Sequence, residues 1–311
     1  MSILFEMGSF LNKLFFNDQK ISTFCITRLH PDQIEEKVYL KNGYSQADIT
    51  ATNAMICLDP FCMAAWLPTA QASLTSNQNA QIHFMKGNRL NALIDVSLIE
   101  KIATGHGFLF LFKVESVKNY QMTALHRLVL FARFLRSKKN TYKSRKVISA
   151  MYSYPRNIII VSYKDDEYCN IFPMDIHGYI EEENMYILGL RTTNVTLDKI
   201  LAAKKVVVCD TNDADINVVY DLGKHSSKSP TAQDQLPFQT TDSELFKFPV
   251  PDFVGEYKEI EIISNRKMGY HMLMAGKVLN RKRMKENPSS LYHVGFLQFQ
   301  NSDYKRIDGL F

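Results

Sequence analysis

The 311-residue sequence has few of the features that would place a protein in a class at once. It has no CxxC motif and no cluster of cysteine with histidine, which argues against a structural zinc site. The odd number of cysteines argues against a disulfide framework, so we expect buried thiols in a reducing compartment. A metal or redox role stays open for the closest pair, in the segment CLDPFC. The cysteines are Cys25, Cys57, Cys62, Cys169 and Cys209.

Long apolar runs are also missing. No stretch reaches the ~18 uncharged apolar residues that a membrane-spanning helix needs. The apolar N-terminus, MSILFEMGSFLNKLFF, carries Glu6 and lacks both a basic start and a small-residue cleavage site. We therefore expect a cytoplasmic protein with no membrane partner.

The excess of positive charge is small, because 37 basic residues against 32 acidic ones give a net charge of +5. Basic residues do crowd together between positions 133 and 146. A nucleic-acid patch and a solvated linker both fit this crowding, but no aromatic ladder accompanies it, so we expect no nucleic-acid partner. The crowded residues are Arg133, Arg136, Lys138, Lys139, Lys143, Arg145 and Lys146.

The composition is that of a folded protein large enough for more than one core. Hydrophobic residues make up 46% of the chain, with 20 Phe and 15 Tyr. The length favours ~two domains. Apolar residues at helical spacing after Thr123 predict an amphipathic helix, and we place the domain boundary after it, at about residue 148.

The N-terminal domain, residues 1–148, is predicted to be α+β and has no assigned role. The spacing in LNALIDVSLIEKI, residues 90–102, favours a helix between strands. The segment 82–102 also faintly resembles the segment 185–205, which would make this domain a degenerate second copy of the next one. Strands are predicted within 54–67, 80–88 and 107–117.

The C-terminal domain, residues 149–311, changes to closely spaced strands separated by polar turns such as KDDE and EEEN. The segment EYKEIEIIS alternates apolar and charged residues, as a half-exposed antiparallel strand does. Only one helix, over residues 196–203, interrupts the predicted strands. Many short strands with so little helix predict a closed or nearly closed β-barrel.

One turn in this domain has the chemistry of an anion site. The apolar run from 185 to 190 opens into Arg191, Thr192, Thr193 and Asn194, just before the helix. A guanidinium, hydroxyls and free backbone amides at a helix start suit a phosphate. An ordinary helix N-cap explains the same residues, so both interpretations stay open here.

The order of motifs in residues 155–310 resembles the flavin reductase-like family with the FMN-binding split-barrel fold, closest to its flavoredoxin branch. The matching segments, in order, are YPRNIIIVSY, DDEYCNIFPMD, MYILGLRTTNVTLDKI, VVVCD, GYHMLMAGKV and DYKRIDGLF. The sequence departs from the family pattern in HSSKSPTAQDQLPF, which lacks the usual Gly and Asp-Lys-Phe. It also has Tyr270 where family members carry Asp before the histidine.

The resemblance implies a mainly β fold, an FMN-binding split barrel preceded by the α+β domain, with FMN as cofactor. In this interpretation the polar turn would hold the FMN phosphate, and the strand 170–175 would lie along the flavin ring. Phe172 and Met174 serve equally well as core residues. The implied cofactor-binding residues are Asn170, Ile171, Phe172, Pro173, Met174, Asp175, Arg191, Thr192, Thr193, Asn194, Thr196 and Ser227.

His271 occupies the strand where family members carry a histidine, close to where a nicotinamide would stack, and is the candidate catalytic residue. A structural role for a lone histidine on an apolar strand stays open. His225, Ser227 and Lys228 would cover the phosphate or a nicotinamide, or else form a surface loop.

The resemblance implies an NAD(P)H:flavin oxidoreductase that uses NADH or NADPH as co-substrate and passes electrons to a separate acceptor. Two alternatives stay open: a flavin-binding electron-transfer module without nicotinamide turnover, and an assembly module that has lost flavin. The expected partners are flavin and nicotinamide nucleotides and a second copy of the chain, in a homodimer.

Overall fold

The computed structural model describes residues 24–75, 79–121, 123–125, 128, 142–225, 228–286, 288–300 and 302–307. Most of the amphipathic helix predicted after Thr123, and the basic residues from Arg133 to Lys139, lie outside these ranges. Within them, no helix has the length and apolarity needed to cross a membrane. The same residues contain no group of three His, Cys, Asp or Glu side chains arranged to hold a metal, and all five cysteines are free thiols.

Antiparallel strands make up most of the regular structure of the described chain. The strands are β1 (Phe24–Leu29), β2 (Glu36–Asn42), β3 (Ser45–Asp48), β4 (Asn53–Leu58), β5 (Phe61–Pro68), β6 (Asn79–Lys86), β7 (Arg89–Ala103), β8 (Gly107–Asn119), β9 (Arg156–Asn157), β10 (Ile159–Lys164), β11 (Cys169–Met174), β12 (His177–Ile180), β13 (Met185–Arg191), β14 (Lys205–Cys209), β15 (Thr240–Asp242), β16 (Pro249–Pro251), β17 (Glu256–Met268), β18 (His271–Arg283) and β19 (Ser290–Gly295). The helices are α1 (Tyr142–Met151), α2 (Leu197–Ala203), α3 (Ile216–His225) and α4 (Phe296–Gln300).

The first sheet has seven strands in the order β3-β2-β6-β7-β8-β5-β4. The helix predicted over residues 90–102 is wrong, because this segment is the long strand β7, paired with β6 on one side and β8 on the other. Bulges interrupt its pairing with β8 between Asp95 and Val96 and between Leu98 and Glu100. The extra residues on β7 itself are Asn91, opposite β6, and Ile99, opposite β8. They shift the alternation of side chains along β7, and the shifted apolar positions imitate helical spacing.

The second sheet also has seven strands, in the order β11-β10-β14-β17-β18-β13-β12. The prediction of a mainly β split barrel is confirmed, since β10 to β14, β17 and β18 form this curled sheet around one apolar core. The segments NVVYDLG and LYHVGFLQF, which the strand pattern also included, are instead the helix α3 and the strand β19 followed by α4. The helix predicted at 196–203 is present as α2, although α3 also follows β14. The boundary predicted near residue 148 falls within α1 and remains a prediction.

The two sheets have the same topology. In chain order, the strands β2 to β8 of the first sheet correspond to the strands β10, β11, β12, β13, β14, β17 and β18 of the second. When the strands are matched in this way, their spatial order across the two sheets is identical. Because α3 and the hairpin of β15 and β16 lie between β14 and β17, the second sheet carries an insertion that the first lacks.

The sheets meet in an apolar layer formed by corresponding strands. It is made by β4, β5 and β8 of the first sheet and β12, β13 and β18 of the second, and includes Ile56, Trp66, Ile187 and Leu273. Each is at most 4% exposed, and burying a side chain of this size contributes roughly 1.5–3 kcal/mol. A third sheet, in the order β1-β19-β9, joins the start of the described chain to its end.

Candidate functional site

The polar turn begins where β13 leaves the core. Residues 185–190 are buried between β12 and β18, whereas Arg191 pairs with His271 in the strand register and its side chain is exposed. The backbone N–H of Asn194 then donates to the carbonyl of Arg191 at 3.0 Å. The N–H of Thr196 donates to Oδ1 of Asn194 at 2.9 Å. The turn is therefore fixed by its own hydrogen bonds before α2 begins.

Asn170 and Thr196, both named from the sequence, are brought together but not to the surface. Nδ2 of Asn170 donates to Oγ1 of Thr196 at 2.7 Å, and the hydroxyl of Tyr168 lies 2.8 Å from the same oxygen. Both side chains are completely buried. They tie the strand β11 to the turn, and the Thr196 hydroxyl is engaged inside the protein.

Tyr270 supports the exposed side of the turn. The N–H and the hydroxyl of Thr192 both donate to the carbonyl of Tyr270, at 3.0 and 3.3 Å. The Thr193 hydroxyl lies 3.1 Å from the Tyr270 hydroxyl. Sequence reasoning treated this tyrosine only as a departure from a family pattern. Its contribution depends on a turn between β17 and β18, which the sequence does not bring near residue 193.

The exposed donor set of the turn suits a phosphate. It consists of the guanidinium of Arg191 and the hydroxyls of Thr193 and Tyr270, which stay at the surface. A guanidinium can donate two parallel hydrogen bonds to one phosphate, and hydroxyls can donate to its remaining oxygens. The residues present therefore fit the phosphate end of a nucleotide, with Asn194 and Thr196 shaping the turn from inside.

The strand β11 lies at the edge of the second sheet and pairs with β10. Ile171 and Phe172 are buried in the core, while Pro173 and Met174 are half-buried. The helix α3 covers this strand, since a Cβ placed on Gly223 would lie 3.3 Å from Cγ of Pro173. The side chains of β11 thus serve packing, and what it can offer a flat ring is the backbone along its outer edge.

Asp175 takes part in a separate buried network. Its Oδ2 accepts from the hydroxyl of Tyr152 at 2.5 Å and from Nδ1 of His293 at 2.6 Å. Burial alone would raise the pKa of Asp175, but the charge and hydrogen bond of His293, with the Tyr152 bond, outweigh it and lower this pKa to about 2. Nε2 of His293 in turn contacts the hydroxyl of Tyr220 on α3. This network fastens β11 to α1 and α3.

His271 is only 1% exposed. Its Nδ1 lies 3.4 Å from Sγ of Cys57 in the first sheet, and its Nε2 has no hydrogen-bond partner within the described ranges. Burial, aided by the positive charge of Arg191, lowers the pKa of His271 to about 4, so the ring is neutral at pH 7. Its catalytic role remains a prediction.

The structure describes only part of the loop predicted to cover the phosphate or a nicotinamide, which contains His225, Ser227 and Lys228. Ser227 lies outside the described residues, as does the side chain of His225. Lys228 is described and exposed.

A cavity of about 600 Å³ opens elsewhere in the second sheet and was missed by sequence reasoning. Glu256 in its wall accepts from Nε of Arg281 at 2.9 Å and is also paired with Lys258 and Arg283. Burial raises the pKa of the neighbouring Asp210 to about 6. The signal in the sequence that could have indicated it is the alternation of apolar and charged residues in EYKEIEIIS, which includes Glu256 and Lys258. None of the lining residues belongs to the polar turn, and the mutual pairing of these charges marks the cavity as a structural network.

No protein-family model matches the chain, and no curated protein matches it. Similar solved structures include an FMN-binding protein from Thermus thermophilus with bound p-hydroxybenzaldehyde, at 18% identity and a TM-score of 0.41, covering 49% of this chain and 86% of the other. Flavoredoxin from Methanosarcina acetivorans is similar at 12% identity and a TM-score of 0.39, covering 45% and 86%. The NADH:FAD oxidoreductase SgcE6 of Streptomyces globisporus C-1027 is similar at 12% identity and a TM-score of 0.44, covering 52% and 91%. These are the kinds of protein that the sequence motifs resemble.

Proposed function

We propose that the chain binds FMN at the turn 191–196 and functions as an NAD(P)H:flavin oxidoreductase. The observation that carries this proposal is the exposed guanidinium of Arg191 beside the hydroxyls of Thr193 and Tyr270. Arg191 would hold two phosphate oxygens, and the hydroxyls would orient the group. The backbone edge of β11, which the Asn170–Thr196 bond connects to this turn, would accept the ring.

When bound, FMN would supply the redox chemistry by taking up a hydride from a reduced nicotinamide. The residues of the chain would bind and orient the flavin and the nicotinamide. The neutral ring of His271 would position a nicotinamide without moving a proton, since its pKa of about 4 leaves it uncharged at pH 7. Because the ring is only 1% exposed, this role requires the groups packed against it, which include the Tyr270 ring and Cys57, to move.

The first prediction is that the protein binds about one FMN and prefers it to riboflavin, because the turn recognises phosphate. Arg191→Ala should weaken FMN binding by roughly 1.5–3 kcal/mol, and an exposed arginine favours the lower end, about tenfold in Kd. Riboflavin binding should change little. Fluorescence titration of both ligands measures the difference.

Arg89→Ala is the matched control, since Arg89 is an exposed arginine in the first sheet. It should leave both affinities unchanged. Equal losses for FMN and riboflavin in Arg191→Ala would show that the turn holds no phosphate.

The second candidate is a flavin-binding electron-transfer module without nicotinamide turnover. The burial of His271 favours it, because the side chain expected to position a nicotinamide is closed off. An assembly module without flavin is the remaining alternative, and failure to bind FMN would support it.

The second prediction separates the oxidoreductase from the carrier. NADH or NADPH should bleach the protein-bound flavin under anaerobic conditions, followed by stopped-flow absorbance. His271→Ala should slow bleaching and leave FMN affinity nearly unchanged, as expected for a residue that positions the second substrate. If dithionite bleaches the flavin and neither nicotinamide does, the carrier interpretation stands.

A further inference from the structure

The two seven-stranded sheets share their residue register as well as their topology. Pro68 pairs with Gly107 at the end of β5, as Arg191 pairs with His271 at the end of β13. The residue that follows makes the same two bonds in each sheet. Thr69 donates its N–H and its hydroxyl to the carbonyl of His106, at 3.1 and 3.0 Å. Thr192 does the same to Tyr270, at 3.0 and 3.3 Å.

One pair of strands carries the same irregularities in both sheets. The pairing of β7 with β8 and that of β17 with β18 each contain two bulges. In one bulge the extra residue is Ile99 of β7 or Ile263 of β17, and in the other, three pairs away, it is Glu115 of β8 or Leu279 of β18. A bulge is a local irregularity whose position is specific to a given sheet. Two at matching positions indicate that the sheets are two copies of one structural unit, residues 36–119 and 159–283.

The copies pack as the subunits of a symmetric dimer do. In such an interface, matching residues meet at the axis and every other contact occurs twice. Ala54 of the first copy corresponds to Gly178 of the second, because Ala54 pairs with Ala64 as Gly178 pairs with Ile187. A Cβ placed on Gly178 would lie 2.8 Å from the Cβ of Ala54. These two matching residues therefore meet across the interface.

The other contact occurs twice, as the symmetry requires. The hairpin of β4 and β5 reaches the turn before β18, where the N–H of Tyr270 donates to the carbonyl of Asp59 at 2.8 Å. The hairpin of β12 and β13 reaches the turn before β8, where the N–H of His106 donates to Oε1 of Glu183 at 2.7 Å. The same elements meet in both places, with different groups accepting the bond.

The anion-binding chemistry is present in one copy only. Pro68, Ala70 and Gln71 stand in the first copy where Arg191, Thr193 and Asn194 stand in the second. The first copy therefore has neither the guanidinium nor the second hydroxyl.

We propose that the chain is a dimer within one polypeptide, in which the N-terminal copy takes the place of a second subunit and the C-terminal copy holds the single anion site. The protein is then a monomer with one site per chain. The number of sites rests on the proposed function, whereas the monomeric state does not. The homodimer expected from the resemblance stays a prediction and competes with this one.

Light scattering of the purified full chain over a wide range of concentrations tests the monomer. The expected mass is 35.8 kDa at all concentrations. A stable species of twice that mass would overturn the proposal, because the N-terminal copy would not have replaced a second chain. This result holds whether or not the protein binds flavin.

Titration with FMN, followed by calorimetry, tests the number of sites. One FMN per chain is expected, with Gln71→Ala unchanged and Arg191→Ala weakened about tenfold. Two FMN per chain, or equal losses in both variants, would overturn the assignment of the site to one copy. No binding at all would refute the proposed function. The mass measurement alone would then decide whether the N-terminal copy takes the place of a second subunit.

Discussion

Glu183 shows how one side chain joins the two copies. Its Oε1 accepts from Nε1 of Trp66 at 3.1 Å, from the Thr104 hydroxyl at 2.6 Å and from the N–H of His106, and its Oε2 accepts from the N–H of Gly105 at 3.0 Å. Partial burial by itself would raise the pKa of Glu183, but these hydrogen bonds outweigh it and lower the pKa below its usual value of 4.5. The ionised form is therefore the one that the fold stabilises.

Replacing Glu183 with Gln should lower the free energy of unfolding at neutral pH by about 1–2 kcal/mol, since an amide cannot accept at both ends. The carboxylate's contribution is present above the unfolded pKa and is lost as pH falls through the lower folded pKa, so the difference should shrink below pH ~4.5. Urea denaturation at both pH values measures it. Glu182→Gln, at an exposed neighbour, is the control, and an equal loss there would refute the role of Glu183.

At the scale of elements, β7 and β8 show when local pattern suffices. The segment 107–117 was predicted correctly as a strand, because its continuous apolar run, residues 108–112, ends before the bulge at Glu115. The adjacent β7 was predicted as a helix because the extra residues Asn91 and Ile99 break its alternation. The resemblance of 82–102 to 185–205 also had the wrong register: β5, not β6, corresponds to β13. Only the paired register shows which strands match.

At the scale of the whole molecule, two histidines are held neutral, the half-buried His177 and the buried His271. His177 donates Nε2–H to the carbonyl of Asn157 at 3.0 Å, and its Nδ1 lies 2.9 Å from the Tyr186 hydroxyl. Burial lowers the pKa of His177 to about 4, and that of His271 to about 4, from 6.5. The folded protein thus resists protonation at two internal positions.

The free energy of unfolding should therefore fall as pH drops from about 6.5 to about 4, because the unfolded chain takes up protons that the folded chain does not. Each histidine can account for up to about 3 kcal/mol. Urea midpoints across this range measure the loss, and His177→Asn and His271→Asn should each flatten the profile. A profile that is the same in all three proteins would show that other groups control acid stability.

The sequence by itself determined the class of fold and the chemistry of the turn at 191–194. Alternation, turn residues and short-range spacing act between neighbours in the chain, so they are visible without a structure. The tertiary structure decided which of those groups remain exposed and able to bind a ligand. Thr196 and His271 looked like ligands but are buried, because β11 and the hairpin at Asp59 pack over them. The contribution of Tyr270 and the register of the two copies were found only in three dimensions, since contacts between residues so far apart in the chain leave no local pattern.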